Sequence, residues 1–212
     1  MYTEYCNYNR VIYDYSKELS LVYRSMDLGM KGMSIPIHMY REIKEYLPEG
    51  FVVSCPIDYP CGHSSTKARN FMVLNYAKSG VNAIDYTPNH YLMKTSPVKA
   101  LKEIKTALSI CRDYGVTLRI FIDSDSKLNY ANLCKLYYSI GIDICFPCVA
   151  YHRESFFDTV INAKLIQKNT EMSIIYNGFL WHEQQAGIIK RAEFFGLRVY
   201  DLEFWCNYLD KE

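Results

Sequence analysis

The most constraining feature of this 212-residue sequence is a repeated alternation of short β-rich runs with longer amphipathic stretches that end at glycine. The runs concentrate Val, Ile, Phe and Tyr between turn residues, which is typical of strands. The unit recurs about every 25 residues, and repeated βα units of that size build a parallel sheet. Strands are predicted at residues 10–15, 32–37, 51–57, 82–87, 117–123, 142–147, 172–177 and 197–204.

The intervening stretches have helical spacing, which is clearest over residues 97–113. There Ser96 is the expected N-cap, Pro97 opens the first turn, and Val98, Leu101 and Ile104 begin one apolar stripe. Eight βα units close naturally into a (β/α)₈ TIM barrel, so we predict one α/β domain over residues 1–212. The alternative, a doubly wound open sheet, is disfavoured because no Gly-rich turn follows the first predicted strand.

Composition narrows the class of partner. The formal net charge is +1 and no block of like charges occurs, so neither a nucleic-acid nor a membrane partner is indicated. No apolar run approaches the roughly 20 residues of a membrane span, and the first residues do not resemble a secretion signal. The eight cysteines are expected to be reduced thiols of a cytoplasmic protein. A small-molecule substrate and a possible homo-oligomer remain as expected partners.

Polar residues collect after the predicted strands, where barrel enzymes carry their chemistry. Each of the five histidines follows a different strand: His38, His63, His90, His152 and His182. Four aspartates are predicted to end apolar strands, where burial should perturb their pKa values: Asp14, Asp85, Asp123 and Asp201. Because the ends of barrel strands converge, we expect these side chains to face one shared pocket.

The middle of the chain carries an ordered set of motifs. "DYPCG" is followed by Lys67, "AIDYTPN" contains Asp85 and Asn89, and "LMKTSPVKALKEIKTALSIC" comes next. This set resembles the deoxyribose-phosphate aldolase family, whose members are (β/α)₈ lyases. The likeness covers residues 51–125, with "IFIDSDS" at the position of the family's strand 5 and Asp14 near the end of strand 1.

The resemblance implies a reaction that this chain lacks the groups to perform. The family uses a lysine on strand 6 as a Schiff-base nucleophile and a second lysine on strand 7, while the strand 4 aspartate relays protons. Here those lysine positions fall on or next to Phe146 and on Ile175 or Tyr176. A Schiff base requires an amine, which these residues cannot supply. Asp201 and Glu203, predicted to end strand 8, would also repel a phosphate group.

Three functions remain open. The first is an aldolase-like lyase or isomerase of carbohydrate metabolism, without a cofactor, that acts by acid/base chemistry on a small hydroxylated or carbonyl compound. Its expected catalytic residues are Asp85, Asp14, Asp123, His90 and Asn177. Its expected substrate-binding residues are His38, His63, Asn89, Cys148, Tyr176 and Asp201.

The second is a metal-dependent barrel lyase or isomerase, in which a divalent metal would replace the missing lysine as the electrophile. Its first expected ligands are His152, His182, Asp201 and Glu203. The third is a catalytically inactive barrel that binds a ligand or partner. The 20 tyrosines, with Trp181 and Trp205 near the ends of the last strands, would suit a binding surface.

Overall fold

The computed structural model describes residues 1–7, 14–122, 130–149 and 155–209. Eight parallel strands follow chain order and close into one barrel, because the last strand pairs with the first. The predicted (β/α)₈ TIM barrel is therefore confirmed. The strands are β1 (Tyr2–Cys6), β2 (Gly32–Ser34), β3 (Val52–Ile57), β4 (Ala83–Tyr86), β5 (Thr117–Phe121), β6 (Ile144–Phe146), β7 (Ser173–Tyr176) and β8 (Gly196–Val199).

Helices surround the strands and cover the outside of the barrel. They are α1 (Tyr15–Asp27), α2 (Ile37–Ile43), α3 (Thr66–Lys78), α4 (His90–Thr95), α5 (Pro97–Asp113), α6 (Tyr130–Ser139), α7 (Phe156–Asn169), α8 (Glu183–Arg191) and α9 (Leu202–Leu209), with a 3₁₀ turn at Lys44–Tyr46. In the part of the chain that the structure describes, none of these helices has the length and apolar character needed to cross a membrane.

The predictions of the first and last strands require correction. The first described strand is β1, which lies ahead of the run predicted at residues 10–15. Residues 10–13 of that run lie outside the described residues, and Asp14 caps α1 instead of ending a strand. Glu4 hides β1 in the sequence because a charge interrupts its apolar pattern. At the other end, β8 stops at Val199 and α9 begins at Leu202. Asp201 and Glu203 therefore do not end a strand.

Strand alternation divides the barrel into an outer and an inner set of side chains. Outward residues such as Tyr5, Ile84 and Leu197 join the main hydrophobic core beneath the helices. The inner set is partly charged. The register places Asp85 beside Arg119 and Glu4 beside Arg198, so two acids and two bases meet inside the barrel.

A second buried polar network ties the helices to β4. Arg69 of α3 donates a hydrogen bond to the hydroxyl of Tyr86 at 2.6 Å and another to the carbonyl of Thr87 at 3.0 Å. The Tyr86 hydroxyl in turn donates to Oε1 of Glu103, on α5, at 2.9 Å. The network fixes α3 and α5 against the barrel.

Candidate functional site

A cluster of four charged side chains, here called the barrel quartet, fills the interior: Glu4, Asp85, Arg119 and Arg198. Arg119 donates from Nε to Asp85 Oδ1 at 2.6 Å and from Nη1 to Glu4 Oε2 at 2.7 Å. Arg198 donates from Nη2 to Asp85 Oδ2 at 2.7 Å and from Nε to Glu4 Oε1 at 2.7 Å. None of the four is more than 2% exposed, and their formal charges cancel.

Asp85 is an ionised structural anion in this setting. Burial alone would raise its pKa, but the charges of Arg119 and Arg198, with hydrogen bonds from Arg119 and Ser34, hold the pKa well below its usual range. Ser54 donates a further hydrogen bond at 3.0 Å. The expectation that Asp85 faces a shared pocket with the other aspartates is therefore wrong, because its carboxylate is enclosed by these partners.

An aromatic layer lies next to the quartet, nearer the carboxyl ends of the strands: Phe121 follows Arg119 by two residues on β5 and is paired with Phe146 of β6. The ring of Phe146 stacks on Phe121 with centroids 4.5 Å apart, and the guanidinium carbon of Arg198 lies 4.1 Å from the Phe146 centroid. Ile175 packs into the same buried cluster. Phe146 and Ile175, at or next to the positions where the aldolase resemblance calls for lysines, are thus apolar side chains inside the barrel.

Three of the predicted site residues cap helices. Asp14 accepts a hydrogen bond from the backbone N–H of Lys17, and Asn89 accepts one from Leu92 at 2.8 Å. Asp201 accepts one from the N–H of Phe204 at 3.0 Å. A carboxylate or amide at this position satisfies a free N–H of the first helical turn. Asp14 is exposed to solvent, so the burial expected at the end of a strand is absent.

The residues after β6 and β7 do come together. The amide of Asn177 donates to the carbonyl of Cys148 at 2.7 Å, and the Cys148 thiol lies 3.4 Å from Asn177 Oδ1. Tyr176 does not join them, because its ring stacks on Phe194 in the layer beneath the helices. The alternation of β7 therefore places Tyr176 on the opposite face from the side chains inside the barrel.

The four histidines that the structure describes follow their strands as predicted but do not form a cluster. His38, His63 and His182 are exposed, and His90 is half-buried at the start of α4. His152 and Asp123 lie outside the described residues. Within residues 1–7, 14–122, 130–149 and 155–209, no group of three or more His, Cys, Asp or Glu side chains is placed to hold a metal ion.

A cavity lies where the loops after β7 and β8 meet, and we call it the β7–β8 pocket. Its volume is about 250 Å³. Phe179 connects its aromatic walls, with its ring centroid 5.6 Å from that of Trp181 and 4.8 Å from that of Tyr200. The pocket is lined by Gly178, Phe179, Leu180, Trp181, Arg198, Val199, Tyr200, Asp201, Phe204 and Trp205.

Tyr200 supplies a buried polar atom beside this pocket. The residue is only 8% exposed, and its hydroxyl forms no hydrogen bond with the described residues. Burial, followed by the proximity of Cys6 and Tyr59, raises the pKa of Tyr200 well above its usual value. The phenol therefore stays protonated at neutral pH and keeps a proton to donate. A buried polar group without a partner costs folding free energy, so a ligand that pairs with it is favoured.

Sequence reasoning missed the partners of Asp85 and most of the pocket. Arg119 in "TLRIFID", Arg198 in "LRVYD" and Glu4 in "YTEYC" each interrupt an apolar strand. That interruption was the available signal, since a charge on the inner face of a barrel must find an opposite charge. The sequence had indicated Trp181 and Trp205 as parts of a binding surface. The other pocket aromatics, Phe179, Tyr200 and Phe204, lie in loops and a helix start, where no periodicity marks them.

No model of a known protein family matches the sequence, and no curated protein matches it. Solved structures do match. A deoxyribose phosphate aldolase from Aeropyrum pernix, described as a tetramer, has a TM-score of 0.77 at 14% identity, covering 93% of this chain and 83% of that chain. A structure described as an aldolase has a TM-score of 0.77 at 12% identity, and the match covers 100% of this chain and 97% of that chain. An oxaloacetate acetylhydrolase has a TM-score of 0.64 at 16% identity, and the match covers 99% of this chain and 78% of that chain.

These likenesses lie in the backbone. The fold is that of the aldolase-like barrels, as the motifs after β3 and β4 predicted from the sequence. At 12 to 16% identity the shared feature is the fold alone.

Proposed function

We propose that this aldolase-fold barrel binds a small, unphosphorylated hydroxylated or carbonyl compound in the β7–β8 pocket, and that it neither forms a Schiff base nor uses Asp85 as an acid or base. The observation that carries the second part of the proposal is the setting of Asp85. The carboxylate that the resemblance makes the proton relay is ion-paired with Arg119 and Arg198. The lysine positions of the resemblance fall on or next to Phe146 and on Ile175 or Tyr176, none of which is an amine.

A general base needs a pKa near the working pH and direct reach to the proton it removes. Asp85 offers neither property, because its pKa is held well below the usual range and both carboxylate oxygens accept hydrogen bonds. These contacts favour the binding alternative over acid/base catalysis by this residue. The metal-dependent alternative gains no support from the described histidines, of which only His90 is even half-buried.

The pocket suits a small ligand. Its volume of about 250 Å³ lies just below the usual range of ligand sites. Aromatic walls favour the apolar face of such a compound, and the protonated hydroxyl of Tyr200 can pair with an alcohol or carbonyl oxygen. Asp201 at the edge and Glu203 in the following turn disfavour a phosphate dianion.

The binding proposal can be tested by tryptophan fluorescence, because the chain has two tryptophans and both Trp181 and Trp205 line the pocket. We expect glycerol and dihydroxyacetone to change the emission in a saturable way. Tyr200→Phe should weaken binding about tenfold, since it removes the hydrogen-bonding hydroxyl. Tyr114 is an exposed tyrosine at the end of α5, so the Tyr114→Phe variant is the matched control and should bind both compounds as the unsubstituted protein does.

Two results would overturn the proposal. One is the absence of any saturable response to either compound in the unsubstituted protein. The other is a borohydride-trapped acetaldehyde adduct, found by peptide mass spectrometry, that forms on Lys94 with turnover and disappears in Lys94→Arg. Lys94 is the exposed lysine at the end of α4, near the carboxyl ends of the strands.

A further inference from the structure

The walls of the β7–β8 pocket consist largely of aromatic rings. Five of its ten lining residues are aromatic: Phe179, Trp181, Tyr200, Phe204 and Trp205. The face of an aromatic ring carries partial negative charge and attracts cations, most strongly in tryptophan. Several rings around one cavity of about 250 Å³ form the kind of cage that holds an alkylated ammonium group.

A carboxylate stands at the edge of the same cavity. Asp201 is exposed and lines the pocket, and its Oδ1 accepts the hydrogen bond from the backbone of Phe204. That bond occupies one of the two carboxylate oxygens. Asp201 can therefore offer its carboxylate to a ligand while it caps the helix.

Arg198 is the one cationic side chain among the described residues that line the pocket, and its charge is balanced internally. Its guanidinium is fully buried and ion-paired with Glu4 and Asp85. The barrel quartet as a whole has no net formal charge. The charge that a ligand meets in the pocket is therefore that of Asp201, with Glu203 in the first turn of α9 adding to it.

We infer that the β7–β8 pocket selects a small organic cation, a hydroxylated or carbonyl compound that carries a tertiary or quaternary ammonium group. This inference rests on the pocket named in the proposed function and adds the charge of its ligand. Aromatic faces would surround the alkylated nitrogen, Asp201 would balance its charge, and the Tyr200 hydroxyl would pair with the oxygen of the same molecule.

Choline and 3,3-dimethylbutan-1-ol provide a matched pair of probes, because the two molecules have the same shape and differ by the charge. Titration followed by tryptophan fluorescence compares them directly. We expect choline to bind at least tenfold more tightly than the neutral alcohol. Asp201→Asn should remove most of that preference and leave the alcohol unaffected. Because Asn is also a good N-cap, the variant should retain α9. Asp113→Asn, an exposed aspartate at the end of α5, is the control.

The outcomes separate the two proposals. Equal affinity for choline and the neutral alcohol would overturn the cation inference and leave the pocket as a site for uncharged compounds. A preference for choline that survives in Asp201→Asn would overturn the role given to that carboxylate. A Tyr200-dependent response to dihydroxyacetone without any response to choline would refute this inference alone. Silence toward every probe would refute the proposed function as well.

Discussion

Replacing Asp85 by Asn tests whether this residue is a structural anion. The substitution removes the negative charge that faces Arg119 and Arg198, and it leaves Glu4 to balance both guanidiniums. Breaking a buried, hydrogen-bonded ion pair from one side costs about 3 to 5 kcal/mol. With a urea m-value of about 3 kcal/mol per molar, the unfolding midpoint should fall by about 1 to 1.7 M.

Urea denaturation followed by circular dichroism measures this change. Asp14→Asn is the matched control: the same substitution at an exposed N-cap, which Asn also fills, should shift the free energy of unfolding by less than about 0.5 kcal/mol. In the double variant Asp85→Asn/Arg198→Met the cluster is neutral again. Its cost should be smaller than the sum of the two single changes by about 1 to 3 kcal/mol. A loss below about 1 kcal/mol in Asp85→Asn would refute the assignment.

The pH dependence of this contribution has a definite sign. The folded pKa of Asp85 lies below the unfolded value of about 3.9. The stabilisation is therefore fully present above that unfolded value and is lost as the pH falls through the folded pKa. The difference in unfolding free energy between the unsubstituted protein and Asp85→Asn should be constant from pH 5 to 7 and should narrow below pH 4. A difference that grows on acidification would contradict the ion-paired state.

Three further predictions concern other buried groups. Phe146→Lys places an ammonium beside the guanidiniums of Arg119 and Arg198, so urea unfolding should show a loss of about 3 to 5 kcal/mol in the free energy of unfolding. A stable variant that traps acetaldehyde would contradict this cationic, buried environment. Tyr86→Phe removes a buried hydrogen-bond partner of both Arg69 and Glu103, so urea unfolding should show a loss of about 1 to 3 kcal/mol in the free energy of unfolding. The control Tyr46→Phe, at an exposed site, should leave that free energy unchanged. In native protein at pH 8, Ellman's reagent should react first with the half-buried thiols of Cys61 and Cys206. Burial raises the pKa of two other thiols, those of Cys111 and Cys134, to about 12, so fast labelling of either would be inconsistent with the fold.

Seven of the eight strands could be predicted because their signal is local. An apolar β-rich run followed by an amphipathic helix and a glycine is visible within about 25 residues, and most of the strand bounds agree to within two residues. The exceptions are instructive. β1 was not predicted because the inward-facing Glu4 interrupts its apolar pattern. β8 was predicted to extend beyond Val199 because Asp201 follows the apolar run directly, although its side chain caps α9.

The candidate site was predicted less well, because its geometry depends on contacts between distant parts of the chain. Asp85 was correctly singled out as a carboxylate that burial must make costly. Its function as a proton relay was inferred without knowledge of its partners. Arg119 lies 34 residues away in sequence and Arg198 lies 113 residues away. The sequence contains both arginines but does not indicate that either one faces the aspartate.

The sequence alone determined three features: the barrel, the absence of lysine from the strand 6 and strand 7 positions, and the order of the motifs that follow β3 and β4. These features follow from residue type and short-range periodicity. Only the tertiary structure decided that Asp85 is neutralised by two arginines and that aromatic side chains gather around Asp201. The physical reason is that closure of the barrel sets the register between strands, and that register determines which buried charges meet and which loops share a cavity.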